Sequence, residues 1–80
     1  MSKLKIKGAE ILNLASEPTN MHQIHLKSKV SWTTVHKYMT GEALRSIDTE
    51  ALLSILINGL GLTWDQIKDI KIGEILDIVN

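Results

Sequence analysis

Between Lys29 and Met39 the chain reads Lys-Val-Ser-Trp-Thr-Thr-Val-His-Lys-Tyr-Met, so Ser31, Thr33, Thr34, His36 and Lys37 gather five hydrogen-bonding side chains into seven positions. Two kinds of chemistry suit such a set. A serine or threonine beside a histidine is the raw material of nucleophilic catalysis, but that also needs a base paired to the hydroxyl and a carboxylate to orient it. No such partners stand near His36, and helix capping accounts better for the hydroxyls, so no enzymatic activity is expected. The other chemistry is recognition of a polyanion. Threonine hydroxyls bond phosphates or base edges and their methyls meet the thymine methyl, while Lys37 has the reach for a phosphate or for guanine O6 and N7. His22, His25 and His36 invite a metal reading as well. Without cysteine or a neighbouring acidic ligand the three read instead as polar surface or partly buried groups, and neither metal nor cofactor is expected.

For these side chains to act together they must share a helix whose other side is held. Val35 and Tyr38, three positions apart, supply an inward stripe for a helix running to Met39, and Ser31 is a good N-cap. Before it, Thr19 or Asn20 can cap a helix over Met21 to Ser28 with Ile24 as inward anchor, leaving Lys29-Val30-Ser31 as a tight turn. A first helix is expected from about Lys7 to Ala15, with Ile11, Leu12 and Ala15 on one face. Its start is ambiguous, because Leu4 and Ile6 alternate with Lys3, Lys5 and Lys7 in the manner of a short strand. A fourth helix begins near Asp48, carries Leu52, Ile55 and Leu56 inward, and stops at Gly59 or Gly61. Thr63 and Gln66 form a capping-box pattern that opens a fifth helix through Ile67 and Ile70. The spacing of Ile72, Ile75, Leu76 and Val79 predicts a final helical stripe, either core or a dimer seam, weakened by Gly73.

Two short helices joined by a three- or four-residue turn, the second opening on hydroxylated residues, let one helix brace the DNA backbone while the other lies in the major groove. Residues Met21 to Ile67 resemble the Cro and phage-repressor (XRE-type) helix-turn-helix domains. The likeness rests on Val30-Ser31-Trp32-Thr33-Thr34-Val35-His36-Lys37-Tyr38-Met39-Thr40-Gly41, on Ile47 to Leu52, and on Leu60-Gly61-Leu62-Thr63-Trp64-Asp65-Gln66-Ile67. It covers a little over half of the chain. The resemblance implies an all-α, compact five-helix, lambda-repressor-like domain over residues 1–80, with a short C-terminal helical extension. It further implies a scaffold helix at about 21–28, a recognition helix at about 32–39, and a homodimeric transcriptional regulator of the repressor kind on double-stranded DNA. Val35, Tyr38 and Ile24 fall on its buried positions, and Trp32, Thr33, Thr34, His36 and Lys37 on positions facing DNA; Trp32 reads equally as a surface aromatic packed on the helix edge. Lys27, Lys29 and Arg45 would contact phosphates, and Ser31 is counted with them among the DNA-binding residues. Met21 replaces the usual glutamine, His25 the usual small residue, and Lys29 the usual glycine. Between Ala51 and Gly61 the chain is one residue longer than the family pattern.

Composition bounds the rest. With 80 residues the chain buries only about 60 to 65% of its unfolded surface, and with no cysteine it has no disulfide to compensate. The net charge is zero, yet residues 1–47 hold seven cations against three anions, and residues 48–80 hold two against six. Such polarity orients a molecule basic half first on a polyanion. The Met1 to Lys7 segment lacks the apolar core of a secretion signal and no stretch is long enough to span a bilayer, so a cytoplasmic, membrane-free protein without an apparent small-molecule ligand is expected. The competing class is an antitoxin-like or inhibitory interaction module that keeps the scaffold without reading DNA, suggested by the apolar run Leu52 to Ile57.

Overall fold

The computed structural model describes residues 3–79; Met1, Ser2 and Asn80, and the sequence reading of the extreme N-terminus with them, lie outside the described residues. Strand β1 (Lys3–Ile6) leads into α1 (Gly8–Asn13), α2 (Met21–Ser28), α3 (Trp32–Met39), α4 (Thr49–Ser54), a π-helical turn over Ile55–Gly59, α5 (Trp64–Lys68), α6 (Ile72–Ile75) and strand β2 (Leu76–Val79). The molecule is therefore largely helical, but the all-α expectation is corrected. β1 and β2 pair antiparallel, with Lys3 opposite Val79 and Ile6 opposite Leu76. On its other edge Leu4 bridges Leu44, each donating its N–H to the other's carbonyl at 2.8 and 2.6 Å. β1 is thus the middle of this small sheet.

The caps set most helix starts. Asn20 accepts the Gln23 N–H at 3.0 Å, Ser31 the Thr34 N–H at 3.3 Å, and Asp48 the N–H groups of Glu50 and Ala51. Thr63 and Gln66 close the full capping box. Each side chain satisfies an amide that the first helical turn leaves without an internal partner. α2 and α3 cover the spans read from the sequence. α1 is shorter than Lys7 to Ala15, and only Ile11 of its expected inner face is fully buried; Leu12 is exposed and Ala15 half-buried.

The C-terminal stripe departs most from its expectation. Ile72 to Ile75 makes one helical turn, and the chain then straightens into β2 instead of continuing as a helix. Spacings of three, one and three suit a helix, but Leu76 and Ile78 also alternate as strand residues do, and pairing with β1 decides between them.

The core gathers Ile6, Ile11, Ile24, Val35, Tyr38, Leu52, Ile55, Leu56, Leu60 and Leu62. α2 packs along the π turn, where Gly59 lies so close to Ile24 that an added Cβ would meet its Cγ2 at 2.9 Å. That turn follows α4 without a break and widens the helix by one residue, as the Leu60 N–H reaching back five positions to the Ile55 carbonyl shows. With the widened turn there, Leu52, Ile55 and Leu56 all stay inside. The greasy run is thereby largely spent on the core: Leu53 is half-buried and Ile57 alone is exposed. No helix among the described residues is long and apolar enough to cross a membrane.

Candidate functional site

The turn between α2 and α3 is fastened at nearly every polar atom. The Lys29 N–H bonds the His25 carbonyl at 3.1 Å, with Lys29 itself in the left-handed region at φ 61°. That is a conformation glycine adopts more readily than lysine. The Val30 N–H donates to Ser28 Oγ at 3.2 Å, and the Val30 carbonyl accepts from His25 Nδ1 at 2.6 Å. Since a carbonyl only accepts, His25 carries its proton on Nδ1 there. Ser54 Oγ donates to the Ser28 carbonyl at 2.8 Å and ties the same turn to α4. Ser31 then caps α3, and its hydroxyl donates to Thr34 Oγ1 at 3.0 Å.

α3 has two unlike sides. Val35 is 0% exposed and Tyr38 5%, and the Tyr38 hydroxyl accepts the Asp48 N–H at 2.9 Å, fixing where α4 begins. Thr33, His36, Lys37 and Thr40, at spacings of three, one and three, are all exposed and form a polar stripe away from the core. Thr34 is half-buried, its oxygen engaged by Ser31, so its own hydroxyl proton remains to be donated. Trp32 is 43% exposed and stands between two imidazoles: its ring centroid lies 6.0 Å from His25, edge to face, and 6.0 Å from His36, tilted. Trp32 thus packs on two histidines while keeping much of its surface exposed.

Lys29, Ser31 and Arg45 are exposed as well, Arg45 in the loop after the Leu44 bridge. No aspartate or glutamate occurs from Met21 to Gly41, whereas Lys27, Lys29 and Lys37 do. The ion pair found among the described residues, Lys68 with Asp65 at 3.2 Å, lies in the acidic half. Neither partner belongs to the α2–α3 side, so its cations are not neutralised by carboxylates there. Among the described residues no group of three or more histidines, cysteines or acids is placed to hold a metal. The sequence reading missed Ser28, Ser54 and the bridging role of His25. Ser28, beside the turn in sequence, was the available signal, because short hydroxyl side chains bond backbone groups two residues on, whereas Ser54 lies 26 residues away and offered none.

No family profile, characterised protein or solved structure matches the chain.

Proposed function

We propose that the chain binds double-stranded DNA as a helix-turn-helix transcriptional regulator of the Cro and phage-repressor kind, with α3 in the major groove. The single observation that carries this reading is the two-sidedness of α3. Its apolar side is clamped by Val35 and Tyr38 while Thr33, His36 and Lys37 face solvent in one row. A helix presented in this way can lower its polar row between phosphate backbones and bring short donors to base edges. Rigidity supports the reading too, because a turn tied by His25, Ser28 and Ser54 holds α3 in place before any partner arrives. Lys27, Lys29 and Arg45 would grip phosphates and set register; Thr33, Thr34, His36 and Lys37 would discriminate bases.

The test is binding to random-sequence duplex over a range of salt concentrations. Three cations on phosphates, Lys27, Lys29 and Arg45, give an expected slope of log affinity against log salt of about −3 for each bound chain. Binding that is absent, or that ignores salt, would remove DNA as the partner and favour the protein-interaction module.

A further inference from the structure

Trp32 opens α3 one helical turn before His36, at the N-terminal end of the exposed row that the DNA reading lays in the groove. It is 43% exposed. Single exposed aromatics are ordinary, so exposure by itself assigns the ring nothing. Its fixation is another matter: one imidazole meets it from α2 and a second from the next turn of α3, each with its centroid 6.0 Å away. The first of these, His25, is itself tied through Nδ1 to the Val30 carbonyl at 2.6 Å. An indole held in this way is a rigid apolar wall, and it gives up little rotamer freedom when a ligand covers it.

What such a wall can meet is narrow. Thr33, His36 and Lys37 around it are polar, and no aspartate or glutamate occurs from Met21 to Gly41, so this side admits an anionic partner. The face of an indole makes none of the hydrogen bonds that phosphates and base edges offer, and it needs an apolar group. In the major groove the base edges present acceptors, amino donors and one apolar projection, the C5-methyl of thymine. A cytosine methylated at C5 carries the same group at the same ring position. Recognition helices bring their N-terminal residues to base edges, and Trp32 is the first residue of α3.

We infer that Trp32 is a specificity-determining residue that reads the C5-methyl group of a pyrimidine, with His25 and His36 holding the indole in its pose. The inference rests on the DNA reading and names the base feature that the site selects. His25 acts through Trp32 and is a positioning residue. Thr33 and Thr34 are the rival sources of a methyl contact, but Thr34 is half-buried with its oxygen engaged by Ser31, and a single threonine methyl covers far less than an indole face. An apolar contact of this kind releases no counterions, so it separates cleanly from the cations that grip phosphates.

The whole chain first selects its tightest duplexes from a random library, and each thymine in them is then replaced, one at a time, by uracil, which deletes the methyl and keeps the pairing. At one or two positions for each bound chain the affinity should fall about fourfold, the size expected for leaving one methyl-sized group unburied. Trp32→Ala should abolish that ratio, Trp32→Phe should keep part of it, and His25→Ala should reduce it, each variant being checked for an unchanged far-ultraviolet spectrum. Because the readout compares two duplexes on one protein, a general loss of binding cancels. Changing the sensitive thymine·adenine pair to cytosine·guanine and then to 5-methylcytosine·guanine separates the two sources of the methyl: recovery with 5-methylcytosine means that either base is read, and no recovery confines the contact to thymine. Uracil that binds as tightly as thymine at every position overturns the inference, as does a ratio that Trp32→Ala leaves unchanged, which would pass the methyl to Thr33 or Thr34. Both of those results leave the DNA reading standing; its own failure is the absence of salt-dependent duplex binding by the parent chain, which would take this inference with it.

Discussion

His25 donates from Nδ1 to the carbonyl of Val30 at 2.6 Å, bridging the turn between α2 and α3 from within, while its ring packs T-shaped against Trp32. One side chain thus sets both the angle at which α3 leaves the turn and the pose of the first aromatic on it. Removing it should be felt twice. His25→Ala deletes the donor and leaves a half-buried carbonyl wanting, at a cost of about 1–2 kcal/mol and a fall in Tm of roughly 5–10 °C. Urea denaturation measures the first and a calorimetric scan the second; unchanged stability in both would show that the bridge contributes nothing.

Lys29 pulls stability and recognition in opposite directions. A left-handed backbone costs a lysine roughly 1 kcal/mol that glycine avoids, so Lys29→Gly should stabilise the fold by about 0.5–1 kcal/mol. The same change removes a proposed phosphate contact and should flatten the salt slope by about 0.9. Denaturation and salt titration on one sample separate the two effects, and a less stable Lys29→Gly would contradict the backbone argument.

Base reading and phosphate gripping should come apart on a panel of duplexes. Lys29→Ala is expected to weaken all sequences alike, whereas Thr34→Ala and Lys37→Ala should change the order of preference, by about 1–3 kcal/mol at the affected base pair. If the three variants weaken every duplex equally, α3 is not the reading helix.

Tyr38→Phe keeps the ring in the core but takes away the acceptor of the Asp48 N–H. A loss of about 1 kcal/mol is expected, with faster amide exchange at the start of α4 as its local signature. Exchange at Asp48 and Glu50 that matches the parent chain would mean that the hydroxyl does not anchor that helix.

Gly59→Ala forces a methyl against the Ile24 side chain, the middle of α2. Overpacking of this kind costs about 1–3 kcal/mol, and Ile24→Val in the same chain should return part of it. Additive losses in the double variant would place the clash elsewhere.

Sequence reasoning reached the helices whose starts are decided locally. Asn20, Ser31, Asp48 and the Thr63–Gln66 pair lie within three residues of the amides they satisfy, so composition and spacing suffice to find them. Val35 and Tyr38 were legible for the same reason, one helical turn being a local fact. The sheet was not, because whether Leu76 to Val79 is helix or strand depends on Lys3 to Ile6 at the other end of the chain. Within the site, the exposed row of α3 followed from periodicity. The fastening by Ser54 did not, since its partner is set by how α4 packs against the turn, whereas Ser28 bonds Val30 two residues on and was open to a local reading.

The pairing of Lys3 with Val79 joins residues 76 positions apart in the sequence. Helices of six to eight residues whose neighbours are close in sequence assemble early, whereas joining β1 to β2 demands that everything between them be looped back first. The strands should therefore act as a clasp, fastened late and first to slip, while the helical body stays intact.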